Sequence, residues 1–445
     1  MRPTFVFDQN KCTGCQACQL ACVIENELEP DASWRQISTF NERHYPGAPL
    51  FHISLACNHC AEPACMSACP ALAYSRDGET GAIMIDDTKC IGCRYCTWAC
   101  PYDAPKFDHA KGVISKCTFC NDRIKRGSQP ACVELCPTGA LTFDRLPDAE
   151  IVNDSLGFTA TDMEPSIKIV PLRTERSVPE LTAPVTSPTH VGEIDSLQSR
   201  ITFRSEWSLA VFTLLGAILF ALATATVTTG MRLNPVLFLA LSAIGMGLAT
   251  AHLGRKEHAW RAMLNVARSW LSREVVFFSL FVPTTILYLI LGRDIGWVGW
   301  TAVVLGAAAT FSMDMVYKFA IKPRPVLHSA GVLLTGVFLV GVITLDPVLA
   351  GAVGSIKLAL YLWRKTNLAA EAKPLRPMAS AVRVGIGYGL PLTLGVIDAT
   401  QMYALIVASV LLGEFIDRAE FYEEIEIVTP TLQMALDLDA KIRGS

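Results

Sequence analysis

The cysteines constrain this chain more than any other feature. All 16 lie between Cys12 and Cys136, in four groups of four with none left over. The first and third groups have the spacing CxxCxxCxxxC, and the second, third and fourth end in Cys-Pro, at Pro70, Pro101 and Pro137. The groups are Cys12, Cys15, Cys18, Cys22; Cys57, Cys60, Cys65, Cys69; Cys90, Cys93, Cys96, Cys100; and Cys117, Cys120, Cys132, Cys136. Sixteen thiolates is the number that four [4Fe-4S] clusters require.

The spacing within a group has a physical reason. Three cysteines of CxxCxxC can surround one cubane cluster from a single loop, while the fourth, on the following helix, points away and serves a neighbouring cluster. Each pair of groups therefore builds two adjacent clusters. The segments CPALAY and CPTGAL, after the second and fourth groups, fit a turn of small residues whose backbone amides approach the sulfur atoms.

Zinc and disulfides are the alternatives for these cysteines. Structural zinc usually takes two CxxC pairs, and runs of CxxCxxCxxxC would be an unusual way to present a tetrahedron. The start MRPTFVFDQNKC has no apolar signal region and no twin-arginine signal, which favours a reducing compartment where disulfides are rare. Export with a partner that carries the signal is an open alternative. We expect iron only, and packing roles around the clusters for His59, Trp98 and Tyr102.

Two segments, CIGCRYCTWACPYDAPKF and KCTFCNDRIKRGSQPACVELCPTGAL, resemble the electron-transfer subunit of the dimethyl-sulfoxide reductase family of molybdenum enzymes. The resemblance covers nearly all of residues 4–146 and implies that the first group pairs with the fourth and the second with the third. The implied ligand sets are set 1 (Cys12, Cys15, Cys18, Cys136), set 2 (Cys22, Cys117, Cys120, Cys132), set 3 (Cys57, Cys60, Cys65, Cys100) and set 4 (Cys69, Cys90, Cys93, Cys96).

The resemblance also implies the kind of cluster and its place in an electron path. Related nitrate reductase subunits have Trp at the position of Cys93 and a three-iron cluster, so Cys93 implies four cubanes here. By the same analogy, set 1 faces a separate catalytic subunit with a molybdenum bis-guanine-dinucleotide (molybdopterin) cofactor, and set 3 lies nearest the quinone.

Beyond the cysteines the chain changes character. Residues 1–146 are predicted to form an α+β bis-ferredoxin-like domain with four clusters. Residues 147–204 contain no cysteine and read as an extended Pro/Thr-rich linker with a short strand at SIKIVPL. Residues 205–425 are predicted to form an all-α membrane domain, and 426–445 a C-terminal tail. Since the family usually has the cluster subunit and the anchor as separate chains, this chain resembles a fusion of the two.

Eight apolar stretches in residues 205–425 are long enough, or nearly so, to be transmembrane helices. They are placed at 208–229, 234–253, 275–292, 296–317, 326–345, 347–363, 381–398 and 400–417. An even number puts both ends of the domain on one side. The short loops on that side hold twelve cations, and those on the opposite side hold only Arg232 and Arg293. The twelve are Arg255, Lys256, Arg261, Arg268, Arg273, Lys318, Lys322, Arg324, Arg364, Lys365, Lys373 and Arg376.

The positive-inside rule then predicts a multi-pass protein of the cytoplasmic membrane, with the cluster domain and both termini on the cytoplasmic side. Ionisable residues gather at the same ends of the helices. They are His252, Glu274, Asp314, His328, Lys357 and Glu414. Intramembrane charges usually face an interior site or pathway, although any single one can be a snorkelling or helix-end charge.

The loop HLGRKEHAWRAMLNVARSWLSRE resembles the corresponding loop of the anchor subunit in the same family, where the matching His and Glu are associated with quinone binding and protonation. We therefore predict a quinone site at His252, Arg255 and Glu274. A histidine can hydrogen-bond a quinone carbonyl in either protonation state. There is no CxxCH motif, and the helical histidines have unlike contexts, so no haem is expected.

These features predict an electron-transfer and membrane-anchor subunit, not itself catalytic for the primary substrate, that interacts with lipid and with exchangeable quinone. A net charge of -3 gives no electrostatic case for nucleic acid. The SWLSRE loop and the cytoplasmic orientation favour the sulfite-oxidising branch, which passes electrons to quinone. One alternative is a quinol-oxidising module that feeds a dimethyl-sulfoxide reductase or related terminal reductase. Another is a ferredoxin fused to an anchor without a quinone site.

Overall fold

The chain forms two compact units in a computed structural model. One unit is Met1–Gln198 together with Val428–Ser445, and the other is Ser199–Ile427. The structure describes residues 1–29, 32–45, 48–159, 161–173, 201–292, 295–319, 327–370, 375–425, 427 and 429–444. Part of the predicted linker, residues 174–200, lies outside the described residues, as do the loop cations Arg293, Lys322, Arg324 and Lys373.

The first unit is built around a short sheet that brings together strands from its beginning and its end. Its strands, in the described residues, are β1 (Arg2–Asp8), β2 (Gln36–Phe40), β3 (Phe51–Leu55), β4 (Tyr74–Arg76), β5 (Ile83–Ile85), β6 (Lys106–Asp108), β7 (Val113–Ser115), β8 (Leu141–Leu146) and β9 (Ile167–Val170). In the central sheet, β1 pairs antiparallel with β8 and parallel with β9. The other strands form three antiparallel two-stranded sheets, β2-β3, β4-β5 and β6-β7. The strand predicted in SIKIVPL is present as β9.

Sequence explains the central position of β1. Its run Thr4-Phe5-Val6-Phe7 is made of β-branched and aromatic residues, which favour strands. Phe5 and Phe7 are each only 1% exposed. The Phe5 ring packs edge-to-face against Phe119, with centroids 5.0 Å apart, in the main core cluster of the unit. That cluster also contains cysteines of the metal-binding groups, so the core of the first unit adjoins the cysteine loops.

Short helices follow or overlap the cysteine groups. They are α1 (Ala17–Glu25), α2 (Ala64–Ala68), α3 (Tyr95–Ala99), α4 (Asn121–Lys125) and α5 (Ala131–Glu134). The loops before α1 and α3 share one backbone pattern. Gly14 and Gln16 have φ of 70° and 63°, and Gly92 and Arg94 have φ of 66° and 58°. Each CxGCxxC loop therefore has two residues in the left-handed conformation, which turn the backbone tightly. The first of the two is glycine, which adopts a positive φ with little conformational strain.

The second unit is helical. In its described residues the helices are α6 (Phe203–Thr229), α7 (Pro235–Ala251), α8 (Trp270–Leu291), α9 (Gly296–Val316), α10 (Val332–Ile343), α11 (Pro347–Ala370), α12 (Pro377–Val384), α13 (Leu390–Asp398) and α14 (Tyr403–Glu424). A π-turn at Gly385–Gly389 joins α12 to α13. Helix α6 lies at the centre, since it packs against α7, α9, α10 and α14.

Local sequence sets the helix ends. Thr202 and Ser205 form a capping box at the start of α6, and Gly230, with φ of 71°, ends it. The Asn234 side chain caps α7, whose first residue is Pro235. The segment between α7 and α8 contains a 3-10 helix, Lys256–Met263.

Each of the eight predicted apolar stretches contains helix in the described residues, but fewer have the length and composition of a membrane span. Four do: Phe203–Thr229, Trp270–Leu291, Gly296–Val316 and Pro377–Asp398. A fifth is counted if Pro235–Ala251 and Lys256–Met263, bent by 104°, are one broken span. Helix α10 is apolar but has only 12 residues, shorter than the predicted 326–345. The second unit is therefore a helical anchor domain with four to five apolar candidate spans.

The C-terminal segment is part of the first unit. Predicted as a tail, it contains the helix α15 (Pro430–Gly444). The Asp437 carboxylate accepts a hydrogen bond from the backbone N–H of Gly157 at 2.7 Å. Met434 is 4% exposed and belongs to the core cluster that contains Phe5. The two ends of the chain thus build one domain.

Candidate cluster sites and buried polar groups of the anchor

Three cavities in the first unit are each lined by four cysteines. Their volumes, including their open mouths, are about 370, 310 and 300 Å³. The lining cysteines are Cys57, Cys60, Cys65 and Cys100; Cys69, Cys90, Cys93 and Cys96; and Cys12, Cys15, Cys18 and Cys136. These are the members of sets 3, 4 and 1. Each cavity combines three cysteines of one sequence group with one cysteine of another.

The members of set 2 also come together. Cys117 is close enough to Cys22 and Cys120 for their charges to interact, and the charge of Cys120 also interacts with that of Cys132. Burial, followed by these neighbouring thiolates, raises the pKa of Cys120 to about 11. Twelve of the 16 cysteines therefore line three cavities, and the other four, Cys22, Cys117, Cys120 and Cys132, interact through their charges.

The four sets follow one another in a single order. Charges interact between sets 1 and 2 through Cys18 and Cys132, and between sets 2 and 3 through Cys117 and Cys57. Sets 3 and 4 are linked in the same way through Cys65 and Cys96. The order is thus 1-2-3-4. Set 3, which the resemblance implies to lie nearest the quinone, is an inner member of this order.

The residues around the thiols fit iron–sulfur clusters. Burial raises the pKa of Cys93 to about 12, and the nearby Cys69 adds to the shift, so crowded thiolates are unfavourable here without compensating positive charge. Iron supplies that charge to its thiolate ligands. Each cavity joins three cysteines of one CxxC-type run to one cysteine of another group, which is the ligand pattern of a ferredoxin cubane.

Backbone amides donate to the sulfur atoms, as CPALAY and CPTGAL predicted. The N–H of Ala73 donates to Cys69 Sγ and that of Leu141 to Cys136 Sγ, each at 3.4 Å. Burial raises the pKa of Cys136, but the hydrogen bonds from Leu141 and Thr138 outweigh it and leave this pKa below its usual value. Hydrogen bonds of this kind tune the potential of a cluster.

Two aromatic side chains near the cavities pack as expected. His59 stacks on Phe119 at 4.1 Å, and its Nδ1 accepts a hydrogen bond from the Ile83 amide at 2.9 Å. Tyr102 lines the cavity of set 3, and its hydroxyl lies 2.7 Å from Thr161 Oγ1.

One residue near sets 1 and 2 had no sequence prediction. Arg35 is 1% exposed. Burial lowers the pKa of its guanidinium, but the thiolates of Cys132 and Cys18 more than compensate and raise it above its usual value. A cation among loop residues such as SWRQIS has no sequence signal that separates it from a solvated surface charge.

The predicted quinone residues lie at the adjoining ends of α7 and α8. His252 is the residue that ends α7, and Arg255 directly precedes the 3-10 helix Lys256–Met263. Glu274 lies near the start of α8 and is 7% exposed. Its charge interacts with that of Asp314, whose carboxylate caps α10 by accepting from the amides of Val332 at 2.6 Å and Leu333 at 3.1 Å.

Two buried tyrosines connect Glu274 to Arg418, and sequence reasoning missed these tyrosines and the arginine. The hydroxyls of Tyr317 and Tyr422 are hydrogen-bonded, and both rings are close enough to Glu274 and Arg418 for electrostatic interaction. Arg418 is 2% exposed, and its Nη1 and Nη2 have no hydrogen-bond partner among the described residues. His328 stacks on Phe421 at 4.2 Å, and among those residues neither of its ring nitrogens has a partner. Arg418 and His328 therefore have spare hydrogen-bonding capacity.

A buried ion network joins α11, α12 and α14. Lys357 lies 3.1 Å from Glu414, which also binds Arg383 at 2.8 Å. Asp417 joins Arg383 at 3.3 Å to Arg364 at 2.9 Å. Lys365 continues the network to Glu420 at 2.8 Å and to Glu424 at 2.5 Å.

The sequence indicated only part of this network. Lys357 and Glu414 were recognised as intramembrane charges, but Arg364 and Lys365 were counted as loop cations. Helix α11 continues to Ala370, so these two residues are helical and pair with α14. A usable signal was present in α14, where Glu414, Asp417, Glu420 and Glu424 recur every three or four residues along one helix face.

Comparison with known proteins agrees with both units. Residues 49–146 match the family model of the 4Fe-4S dicluster domain, and residues 202–359 match that of the DMSO reductase anchor subunit (DmsC). One chain of the anaerobic dimethyl sulfoxide reductase of Escherichia coli (strain K12) is 35% identical over 200 residues, which is 42% of this protein and 97% of that relative.

Two other relatives are named for different sulfur compounds. The thiosulfate reductase electron transfer subunit PhsB of Salmonella typhi is 40% identical over 148 residues, 32% of this protein and 76% of that relative. One subunit of the sulfite dehydrogenase of Allochromatium vinosum is 36% identical over 169 residues, 33% of this protein and 70% of that relative.

Cysteine sets in a ferredoxin-like unit and a helical anchor in the same chain define a class: iron–sulfur electron-transfer proteins of the membrane. Within that class, this protein belongs to the dimethyl sulfoxide reductase family, whose 4Fe-4S electron-transfer subunit and DmsC-type anchor it unites in one polypeptide.

Proposed function

We propose that this chain carries electrons between a separate molybdenum catalytic subunit and the quinone pool of the cytoplasmic membrane, through four [4Fe-4S] clusters. The observation that carries the proposal is the consecutive order of the four cysteine sets in one unit. Sets that lie next to each other provide a continuous path for electrons. A catalytic centre holding a single cluster would need no such series.

Sets 1 to 4 would hold one cluster each, and the bound clusters supply one-electron transfer. The chain's own part is to hold the thiols, exclude water and donate amide hydrogen bonds. Cys15 of set 1 is exposed, whereas Cys18 of the same set is buried. This exposure supports set 1 as the contact with a partner, and the family resemblance places set 3 nearest the quinone.

Relatives support the partner. The three relatives described above are each named as one chain or one subunit of an enzyme, which is how parts of larger assemblies are named. We assign the catalytic role to a separate subunit with a molybdenum bis-guanine-dinucleotide cofactor, as expected for this family.

Quinone would bind near Glu274, with His252 and Arg255 as the residues first predicted. The buried donors of Arg418 suit a quinone carbonyl oxygen, because an acceptor from a ligand would satisfy them. Quinone reduction also consumes two protons, and Glu274, Asp314 and His328 are groups that can hold or pass a proton. This makes the anchor the quinone-reactive part of the complex.

The orientation and the number of spans follow from the same reasoning. We propose eight crossings, in which neighbouring helices cover the short helix α10 and the ion-paired side chains of α11 and α14, such as Lys357 and Asp417. The cation-rich loops support a cytoplasmic position for the cluster unit and for both termini.

Electrons are proposed to flow from sulfite oxidised in the cytoplasm to quinone, as the SWLSRE loop and the cation-rich loops favour. A second direction has specific support from the match to the dimethyl sulfoxide reductase of Escherichia coli: quinol oxidation that feeds a terminal reductase. The identities to the sulfite dehydrogenase and sulfoxide reductase relatives, 36% and 35%, do not separate the two directions.

Purification of the native complex tests both directions in one preparation. Sulfite-dependent reduction of quinone and sulfoxide-dependent oxidation of quinol would be measured side by side, with metal analysis for molybdenum and iron. Sulfite-dependent reduction alone supports the first direction. Sulfoxide-dependent oxidation alone overturns it in favour of the second, and a preparation without molybdenum would contradict the proposed partner.

A further inference from the structure

Arg35 is a buried cation between two cysteine sets. Its side chain is 1% exposed, and the described residues provide no carboxylate ion pair for it. A buried charge is costly unless another charge or a set of hydrogen bonds compensates it. The charged groups that interact most with the Arg35 guanidinium are thiolates of sets 1 and 2: Cys132, Cys18, Cys117 and Cys22.

Arg35 is connected to set 1 by hydrogen bonds and to set 2 by charge. Its Nη1 donates to the carbonyl and hydroxyl oxygens of Ser54, each at 3.2 Å. The Ser54 hydroxyl lies 3.4 Å from Cys18 Sγ, so it can accept from Arg35 and donate to the set 1 sulfur. On the other side, the guanidinium is close enough to Cys22, Cys117 and Cys132 of set 2 for their charges to interact.

The remaining donors of the guanidinium are unused. Its Nε and Nη2 have no hydrogen-bond partner among the described residues, although both atoms are buried. The ring of Phe5 lies 4.5 Å from Cζ and holds the side chain in place. Buried donors without partners are rare in folded proteins, and anionic sulfur nearby would satisfy them.

We propose that Arg35 raises the reduction potentials of the clusters in sets 1 and 2 together, and so holds this half of the path more easily reduced than it would be without the cation. Uptake of one electron makes a cluster more negative, and a fixed positive charge at short range stabilises the reduced form more than the oxidised form. Net charge and hydrogen bonds to sulfur are established determinants of cluster potential. This inference rests on the proposed four clusters.

The test is a redox titration of the purified full-length complex, with each cluster followed by electron paramagnetic resonance. Arg35→Met removes the charge and keeps an apolar stem against Phe5. The expected result is a shift of two midpoint potentials to lower values, with the other two unchanged. Arg35→Lys keeps the charge and should leave all four midpoint potentials close to their wild-type values. Arg145→Met is the matched control, because Arg145 is exposed and its side chain bonds the Glu79 carbonyl at 3.3 Å.

Ser54→Ala tests the link to set 1 without removing the charge. It should lower one midpoint potential, that of set 1, by less than Arg35→Met does. If Arg35→Met loses iron, Arg35→Gln decides the outcome, because it removes the charge and keeps a polar side chain near Ser54. Unchanged midpoint potentials for sets 1 and 2 in Arg35→Gln would then overturn the inference.

The outcomes separate this inference from the proposed function. Wild-type protein with fewer than four cluster signals would contradict the proposed function and with it the role of Arg35. Four signals whose midpoints are the same in Arg35→Met and the wild type would overturn the role of Arg35 alone.

Discussion

At the scale of single residues, the ligand set to which each of the 16 cysteines belongs depends on the fold and not only on its position in the sequence. Each set takes ligands from two sequence groups, so cysteines of one group such as Cys65 and Cys69 belong to different cavities. Burial raises the pKa of the Cys65 and Cys69 thiols, so without iron these thiols hold their protons, and iron must displace the protons to bind. Loss of one ligand should therefore disturb one set and spare its sequence neighbours.

Serine substitutions can test this arrangement directly. Cys69→Ser and Cys93→Ser should alter the same cluster signal, because both residues line one cavity although they lie in different groups. Cys65→Ser is the matched control, only four positions from Cys69, and should alter another signal. Iron analysis should give about 16 atoms per wild-type chain and about 12 to 15 per variant. Loss of the same signal in the Cys65 and Cys69 variants would contradict the assignment.

Sequence reasoning at this scale worked where the chemistry is local. Cysteine spacing is fixed by the geometry of one loop, and the amides of Ala73 and Leu141 lie within a few residues of the sulfur atoms they approach. Arg35 was not predictable, because its partners Ser54 and Cys132 are distant in the sequence. Only the folded chain shows that this cation has no solvent around it.

At the scale of elements, the ion network of α11, α12 and α14 takes the place of a fully apolar interface. Lys357 and Arg383 have no exposed side-chain surface, and Glu414 has 1%. Removing one charged side chain from such a network leaves an excess buried charge. Removing one cation together with one anion leaves the net charge of the network unchanged. Sequence patterns did not single out Arg383. It lies only two residues after the predicted start of its helix, and a cation at a helix end usually lies at the membrane surface.

A double-mutant cycle measures the coupling in this network. Lys357→Met should destabilise the anchor by about 3–5 kcal/mol. The Lys357→Met/Glu414→Gln double variant should lose less than the sum of the two single variants. Unfolding in detergent would be followed by circular dichroism. The control is Arg376→Met, whose side chain is 58% exposed and pairs with Glu423, with an expected loss of about 1 kcal/mol or less. If the loss of stability in the double variant equalled the sum of the losses in the two single variants, the proposed coupling would be contradicted.

At the scale of the whole molecule, one polypeptide combines functions that the family usually divides between two. The first unit is closed by its own C-terminal helix, so the chain passes through the entire anchor before the cluster unit is complete. The sequence did not predict this, because α15 has no long apolar run and buries only scattered residues such as Met434. Electron transfer within the first unit and quinone chemistry in the second should be separable by mutation.

Substitutions at the predicted quinone residues test that separation. His252→Ala and Glu274→Gln should lower quinone-dependent turnover by about 100-fold or more, since a lost proton donor or acceptor typically has an effect of this size. Reduction of the clusters by dithionite and electron transfer to an artificial dye should stay at wild-type levels. Glu257→Gln is the matched control, because Glu257 lies in the same loop and is exposed. Unchanged quinone turnover in both variants would place the quinone site elsewhere, and parallel loss of the dye-linked activity would show that the two units cannot be separated.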